Sequence, residues 1–326
     1  MDRRITLRHL RAFVEILRQR SLKRAAERLS LTQPAISRTL AELESILGAT
    51  LLTRDRSGVL PTPQGAFFLT HAQASLSALQ QGLAGIGEAG RGAVLRLDVG
   101  ALPSVAARLM PQVALHLAAL APDLRLTVAD GSDGDLTGRL RDGRLDLVIG
   151  RLGDPASMEG LSFTQLYLEQ VAVVVRPGHP ILADPDLRRI GDWPVLYPAP
   201  GAAIRPIVER LLIAEGVAPP PRRIETVSGA FGRALTAQSD AVWLISAGVV
   251  AGDVAEGRLV RLPVATDLTE GPVGLMARAG SDAGSDAGPD GGGTAQRLFL
   301  AAVDRAVETL HLGPGRRPRG HGGQGA

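Results

Sequence analysis

The sequence predicts an α/β protein in two parts: an N-terminal winged helix-turn-helix with a long linker helix behind it, and a larger two-lobed α/β domain. Three observations predict this fold. A basic segment contains two short helical patterns around a tight turn, an apolar stripe follows over residues 62–90, and the remainder alternates between strand and helix patterns. With 326 residues, 45% of them hydrophobic, the chain can bury more than one core.

A helix, a tight turn and a second helix between Ser21 and Glu44 organise the N-terminal part. Thr32 can cap the second helix with its hydroxyl, and Pro34 suits a first turn that does not use the missing N–H. Each helix has one apolar stripe, formed by Leu22, Ala25, Ala26 and Leu29 and by Ile36, Leu40 and Leu43. Because both stripes face inward, the outer face of the second helix remains free.

That free face carries residue types that read DNA grooves. Gln33 can bond an adenine edge, Arg38 a guanine edge, and Ser37 a base or a phosphate. The alternative is a helical hairpin with a solvated polar face, because such spacings also arise by accident. The candidate DNA-binding residues are Thr32, Gln33, Pro34, Ser37 and Arg38, together with Arg54 and Arg56 from the segment that follows.

Charge favours DNA binding. Residues 1–60 contain twelve Lys and Arg against six Asp and Glu, a net charge of +6, whereas the whole chain carries +3. Positive charge is therefore concentrated around the second helix, as expected of a surface that faces phosphates.

Flanking elements complete a DNA-binding domain over residues 1–62. An apolar stripe over residues 7–17 predicts a first helix, with His9 on its solvated side. Residues 50–54 and 59–60 predict two strands that turn at Gly58 and form a wing. The two wing arginines would lie against a phosphate or the minor groove, or else remain solvated on a hairpin.

Residues 63–90 predict a linker helix, capped by Thr62 and started by Pro63. This helix has no core of its own, so its apolar stripe must be buried elsewhere, and a second copy of the helix is the simplest partner. We therefore expect a dimerisation helix, weakened at its end by glycines at positions 82, 85, 87 and 90.

The domain over residues 91–312 alternates strands and helices. Strands at 94–99, 124–128 and 145–149, with helices at 104–120 and 135–141, predict a βαβαβ parallel sheet. A second set follows, with strands at 171–175, 195–197, 224–227 and 241–245 and helices at 204–215 and 229–237. We expect lobe I at about residues 91–166 and 267–312, and lobe II at about 167–266.

The last residues predict one helix between two unstructured segments. Residues 280–293 and 313–326 are too poor in apolar residues to fold, so we expect a surface loop and a disordered basic tail. Residues 294–310 predict a final amphipathic helix.

Two such lobes predict a ligand cleft. Ligands of open α/β sheets bind outside the carboxyl ends of the strands, near helix N-termini with free N–H groups. Hydroxyls and arginines at those ends suit a small carboxylate, although Ser104 could simply cap a helix and Arg205 form a surface ion pair. The candidate effector-binding residues are Pro103, Ser104, Ser132, Arg151, Arg205, Thr226, Ser228 and Ser246.

The composition disfavours other functions. Cysteine is absent, the six histidines have no metal spacing, and Lys23 is the only lysine, so we expect no enzyme activity, metal or cofactor. Among enzymatic functions, only catalysis by a pair of carboxylates is compatible with this composition. The chain lacks a run of about 18 apolar residues and the apolar core of a signal peptide, so we expect a cytoplasmic protein without a membrane span.

A string of residues in the N-terminal part matches a known family: Leu10, Phe13, Ser21, Ala25, Ala26, Thr32–Ser37, Leu43–Glu44, Leu47–Gly48, Leu51–Leu52, Arg54 and Thr62–Gly65. In these residues the chain resembles the LysR-type transcriptional regulators. Leu52 stands where the family usually has Phe, which is a conservative difference.

The C-terminal part resembles the effector domain of the same family, which is similar to periplasmic solute-binding proteins. Residues 178–180, 204–206, 224–228, 231–233, 239–243, 257–263 and 271–274 resemble the branch that activates the pca genes of protocatechuate catabolism in the β-ketoadipate pathway. This resemblance implies a tricarboxylate inducer, β-carboxy-cis,cis-muconate, and three partners: promoter DNA, RNA polymerase and further copies in a dimer or tetramer. The alternatives are a LysR-type regulator of another catabolic or sugar-uptake operon, and a cytoplasmic solute-binding protein.

Overall fold

A computed structural model of the protein describes residues 4–55, 58–86, 95–279 and 292–312. The chain divides into two compact units, residues 1–93 with 141–144 and the remainder. Arg56, the predicted linker glycines at 87 and 90, most of the predicted loop at 280–293 and the predicted tail at 313–326 lie outside the described residues.

The first unit begins with three helices: α1 (Leu7–Gln19), α2 (Leu22–Arg28) and α3 (Gln33–Leu47). Side chains cap two of them. Ser21 Oγ accepts a hydrogen bond from Arg24 N at 3.4 Å, and Thr32 Oγ1 accepts one from Ala35 N at 3.4 Å. Gly48 ends α3 with a φ of 62°, which favours glycine. The predicted helix-turn-helix and its cap at Thr32 are confirmed.

The inner faces of these helices share one small core. Phe13 and Ile16 of α1, Ala25 of α2, and Ile36 and Leu43 of α3 are completely buried in it. Burial of large apolar side chains contributes about 1.5–3 kcal/mol each, which orients three short helices that would be marginal alone.

His9 corrects a prediction, because it is only 1% exposed rather than solvated. Its Nδ1 accepts a hydrogen bond from Thr6 N at 3.1 Å, and its Nε2 lies 3.3 Å from Glu42 Oε2 of α3. The sequence of α1 alone places His9 outside the apolar stripe and so predicts exposure. In the folded unit, however, α3 packs against that side of α1 and buries His9.

The predicted wing is confirmed by two strands, β1 (Leu52–Asp55) and β2 (Gly58–Pro61), which pair antiparallel. Glu44 of α3 fastens the wing to the helices. Its Oε1 accepts hydrogen bonds from Leu51 N at 2.7 Å and Leu52 N at 3.2 Å. Bonds to a charged acceptor are the stronger kind, so the wing is held to the helix that precedes it.

The predicted long helix, α4 (Pro63–Ile86), follows the wing directly. Thr62 Oγ1 caps it by accepting a hydrogen bond from Gly65 N at 3.0 Å, as predicted. A Cβ on Gly65 would overlap the main-chain carbonyl of Leu51. The main chain at the start of α4 therefore approaches the main chain before β1 more closely than any residue with a side chain would allow.

The second unit contains two five-stranded sheets with helices around them. In chain order the elements are β3 (Arg96–Ala101), α5 (Pro103–Leu120), β4 (Arg125–Asp130), α6 (Asp133–Arg141), β5 (Leu147–Arg151), β6 (Leu161–Glu169), β7 (Val171–Val175), β8 (Val195–Pro198), α7 (Arg205–Ala214), β9 (Arg223–Thr226), α8 (Gly229–Gln238), β10 (Val242–Ser246), α9 (Ala247–Ala255), β11 (Val260–Arg261), β12 (Gly271–Arg278) and α10 (Gly292–Thr309).

Each sheet has its own core. The first sheet has the order β4-β3-β5-β12-β6 and the second β11-β7-β10-β8-β9. The chain passes from the first to the second at Gln170, between β6 and β7, and returns between β11 and β12. The parallel pairs that β3 forms with β4 and β5, and β8 with β9 and β10, confirm the predicted βαβ crossovers.

The sheets are mixed, however, which corrects the expectation of parallel sheets. β12 runs antiparallel to β5 and β6, and β7 runs antiparallel to β10 and β11. β6, β11, β12 and α9 were not predicted. β12 includes Gly271, Pro272 and Gly274, residues that are poor in strands, and its register with β6 shifts after Val273. The glycines of α9 weaken its helical signal in the same way.

Two features are absent from the described parts of the chain. None of their helices is long and apolar enough to cross a membrane. Their His, Asp and Glu side chains form no group of three that could hold a metal ion.

Two glycines on the helices of the second sheet give a test of its packing. A Cβ on Gly232 of α8 would lie 2.6 Å from Trp243 Cε2, whereas a Cβ on Gly252 of α9 would meet nothing within 4 Å. We expect Gly232→Ala to lower the free energy of unfolding by about 1–3 kcal/mol, and Gly252→Ala to raise it by up to about 1 kcal/mol. Urea unfolding followed by tryptophan fluorescence measures both, since Trp193 and Trp243 lie in this lobe. Equal stabilities would contradict the packing.

Candidate functional site

The outer face of α3 presents the predicted DNA-binding residues together. Thr32, Gln33, Pro34 and Arg38 are exposed, and Ser37 is half-buried between them. Gln33 and Ser37 share one face because they are about one turn of helix apart, and Arg38 lies beside Ser37 at the edge of this face. Ala41 extends this face by another turn without adding bulk.

The opposite side of α3 is held from two directions. Arg8 Nη2 of α1 donates a hydrogen bond to Glu42 Oε2 at 3.1 Å, beside His9. Thr39 is buried, and its hydroxyl donates to the carbonyl of Ala35 at 3.0 Å. With Glu44 bonded to the wing, α3 is fixed in orientation, so its free face is presented rigidly.

Arg54 lies exposed on β1 of the wing. Neither Arg54 nor Arg38 forms an ion pair with the described residues, so both guanidinium groups are available to a partner. The outer face of α3 offers Gln and Arg for base edges, and the wing offers a cation for phosphate. Arg56, the second predicted wing arginine, lies outside the described residues.

The second unit contains a cavity between its two sheets. It holds about 580 Å³ of empty space, counted out to its open mouth. Its lining comes from both lobes: Leu102, Pro103, Ser104, Gly131, Ser132, Asp133, Arg151 and Glu169 from the first, and Pro198, Ala202, Ala203, Ile204, Thr226, Val227, Ile245, Ser246 and Val249 from the second. A concave, mostly apolar lining with a few polar groups is typical of a site for a small organic molecule.

Six of the eight predicted effector-binding residues line this cavity: Pro103, Ser104, Ser132, Arg151, Thr226 and Ser246. They come together because each lies at the carboxyl end of a strand or at the start of the helix that follows. The first turns of α5, α6 and α9 lie at such positions, and the positive end of a helix dipole favours a negatively charged ligand group.

The structure does not bring Arg205 and Ser228 to the cavity. Arg205 forms ion pairs with Glu209 at 2.9 Å and Glu225 at 3.0 Å, and these carboxylates hold its guanidinium outside. Ser228 caps α8 instead, since its Oγ accepts a hydrogen bond from Phe231 N at 3.2 Å. Arg205 therefore forms a surface ion pair and Ser228 caps a helix, the two structural roles that were the alternatives to ligand binding.

Glu169 and Arg151 form the charged floor of the cavity. Arg151 is 6% exposed, and its two terminal nitrogens donate to the main-chain carbonyls of Thr269 at 3.0 Å and Glu169 at 2.6 Å. Burial lowers the pKa of Arg151, and the nearby charge of Glu169 opposes this. Burial also raises the pKa of the Glu169 carboxyl, although hydrogen bonds from Ser104 and Gly248 favour its charged form.

Sequence reasoning missed both carboxyl groups of the lining, Asp133 and Glu169. Glu169 ends β6. Because that strand was not predicted, the sequence provided no indication that Glu169 lies at the end of a strand. Asp133 starts α6 two residues earlier than the predicted helix. The remaining lining is largely apolar, with Leu102, Ile204 and Ile245, and it can hold a carbon skeleton.

Two family models match the chain. Residues 7–66 match "Bacterial regulatory helix-turn-helix protein, lysR family", and residues 90–287 match "LysR substrate binding domain". The first range contains α3 and the wing, and the second contains the cavity.

Curated relatives are similar to most of the chain. The HTH-type transcriptional regulator PcaQ of Agrobacterium fabrum is 47% identical over 282 residues, which cover 86% of this chain and 90% of the relative. The "Uncharacterized HTH-type transcriptional regulator YdcI" of Escherichia coli is 38% identical over 285 residues, covering 85% of this chain and 91% of that relative.

Among solved structures, the crystal structure of full-length BenM superposes with a TM-score of 0.53 at 24% identity. The match covers 94% of this chain and 98% of that one. At this identity the likeness concerns the fold.

The free face of α3 leads to a test of groove reading by Arg38. We expect Arg38→Ala to weaken binding to a preferred duplex by about 1–3 kcal/mol and to relax the preference for one base pair, because a bidentate guanine contact is lost. Fluorescence anisotropy with duplexes selected from random sequence measures both effects. Arg210→Ala removes an exposed arginine of α7 and serves as the matched control. Unchanged affinity and base preference in folded Arg38→Ala would contradict the assignment.

Proposed function

Because the chain belongs to the LysR family of transcriptional regulators, we propose that it activates the pca genes of protocatechuate catabolism in response to β-carboxy-cis,cis-muconate. The observation that carries this proposal is the 47% identity to PcaQ, which extends over 90% of that protein. The family consists of transcriptional regulators and not of enzymes or plain solute-binding proteins. The finer assignment of target genes and inducer is supported by the segments that resemble the pca branch.

On DNA, the α3 helices of two chains enter successive major grooves about one helical turn, roughly 34 Å, apart. Gln33, Ser37 and Arg38 read base edges, while Thr32, Pro34, Arg54 and Arg56 lie against the backbone. Arg38 and Arg54 are exposed and form no ion pair with the part of the chain that the structure describes, which supports this role. The site of action is promoter DNA in the cytoplasm.

Pairing of two chains occurs through α4, which acts as the dimerisation helix. Phe67 is 72% exposed and Leu83 is 57% exposed on this helix, and exposed apolar side chains of this size favour a protein partner. Phe67 packs edge-on against His71, with 4.8 Å between ring centroids, so it is held ready for a contact. A dimer, or a tetramer formed from two dimers, places the recognition helices on one operator.

The cavity supplies the regulatory input. Helix N-termini at its lining suit the carboxylates of the inducer, and the apolar lining suits its carbon skeleton. A ligand that favours one arrangement of the two lobes shifts the population of assemblies on DNA, and thereby contact with RNA polymerase.

A second candidate is a LysR-type regulator of another catabolic or sugar-uptake operon. The observation that favours it is the presence of four hydroxyl groups and two carboxyl groups in the lining, which can bond the hydroxyls of a sugar. The two candidates differ in ligand, so binding measurements separate them.

Calorimetric titration of the full-length chain with β-carboxy-cis,cis-muconate, protocatechuate, β-ketoadipate and glucose tests the proposal. We expect selective binding of the muconate, together with its effect on transcription from a pca promoter in vitro. Binding of the sugar alone, or no effect at that promoter, would contradict the pca assignment.

A pair of serine variants tests the place of binding. Ser246→Ala removes a hydroxyl from the lining, and we expect about tenfold weaker muconate binding because a bond to a charged group is lost. Ser228→Ala weakens only the cap of α8 and should leave the affinity unchanged. Calorimetry measures both affinities, and equal losses in the two variants would contradict this location.

A further inference from the structure

A single carboxyl group stands at the N-termini of two helices inside the cavity. Glu169 is 4% exposed, and its Oε1 accepts a hydrogen bond from Gly248 N, the second residue of α9, at 3.1 Å. Ser104, the second residue of α5, lies beside this carboxyl and favours its charged form. Glu169 therefore uses donors that a ligand carboxylate would otherwise engage.

Gly248 makes this arrangement possible. A Cβ at this position would overlap Glu169 Oε1 and would lie 3.1 Å from Ser104 Cβ. Only a residue without a side chain lets α5 and α9 approach the same carboxyl group. The position of Glu169 is thus built into the junction of the two lobes.

Charged groups from several elements act on Glu169. Burial raises its pKa, and this exceeds the opposing effects of its hydrogen bonds and of two arginines. The titratable groups that share its surroundings are Arg108 of α5, Asp133 of α6, Arg151 of β5 and Tyr167 of β6, whereas Asp253 of α9 is ion-paired with Arg233 and Arg258.

We propose that Glu169 takes up a proton when a carboxylate ligand enters the cavity, so that the chain binds such ligands more tightly as the pH falls. This inference rests on the proposed function, which makes the ligand a small carboxylate. A ligand carboxylate beside an ionised Glu169 would place two negative charges together in a poorly solvated site. Two of the five N–H groups of Arg151 already donate to main-chain carbonyls, so the guanidinium offsets only part of this repulsion.

Protonation removes this repulsion and supplies a new bond. A neutral Glu169 keeps one oxygen as an acceptor for Gly248 N and gains an O–H group that can donate to the ligand. The proton comes from solvent and returns to solvent when the ligand leaves. Binding of the ligand anion is thereby coupled to the uptake of one proton by Glu169.

The direction of the pH effect follows from the two states. The pKa of Glu169 in the free protein is already raised, and a bound anion raises it further because it disfavours the charged carboxylate. Between these two pKa values the complex holds more protons than the free protein. The affinity therefore falls as the pH rises through this window, by up to about tenfold per pH unit.

The test is calorimetric titration of the full-length chain with β-carboxy-cis,cis-muconate from roughly pH 6 to pH 8.5, where ordinary carboxylic acids are ionised. Heats in two buffers with different ionisation enthalpies count the protons taken up. We expect the dissociation constant of the unmodified chain to rise by up to about tenfold per pH unit, with uptake of up to one proton. Glu169→Gln should bind with an affinity that does not change with pH and without proton uptake. Glu215→Gln, at an exposed residue after α7, should behave as the unmodified chain.

The outcomes separate this inference from the proposed function. Muconate binding that is independent of pH, or a pH dependence that persists in Glu169→Gln, overturns the proton uptake and leaves the ligand assignment intact. Binding by Glu169→Gln alone overturns the proton uptake, since the unmodified chain then never binds the anion, and leaves the carboxylate ligand assignment intact. Absence of binding by both chains at every pH overturns the inference and the carboxylate ligand together.

Discussion

The buried guanidinium of Arg151 ties together the two places where the chain passes between the sheets. Its Nη2 donates to the carbonyl of Glu169 just before the first crossing, and its Nη1 donates to the carbonyl of Thr269 just before the return strand begins. Thr269 Oγ1 in turn accepts a hydrogen bond from Val171 N at 2.8 Å. A charge buried this deeply needs such partners, so the crossings and the arginine stabilise one another.

This use of Arg151 determines the chemistry left for the cavity. An arginine at a strand end suggests an anion-binding residue, yet each terminal nitrogen of Arg151 already donates one N–H group to the main chain. In the proposed function, recognition of an anion depends on helix N-termini, on hydroxyls such as Ser246, and on the protonation state of Glu169. Because Gly248 N of α9 donates to Glu169 and Ser104 of α5 lies beside it, the proposed proton uptake would link ligand binding to the junction of the two lobes.

Much of the fold could be predicted because its signals are local. Caps at Thr32 and Thr62, the glycine stop after α3 and the apolar stripes each depend on residues a few positions apart. β6 and β12 escaped prediction because they become strands by pairing with each other across about a hundred residues of chain, despite glycines and a proline in β12. Glu169 was missed because β6 was not predicted. Six of the eight predicted effector-binding residues line the cavity because strand ends are visible in the sequence.

Local sequence patterns were sufficient to specify the helix-turn-helix, the wing, the long helix, the βαβ crossovers and the residue types at the strand ends. Their physical basis is short-range: side-chain periodicity, backbone conformation and capping. The tertiary structure alone decided that His9 is buried against α3, that Arg205 is held outside the cavity by two carboxylates, and that Glu169 joins two helix starts. These outcomes depend on desolvation and on partners distant in the chain, which no local pattern records.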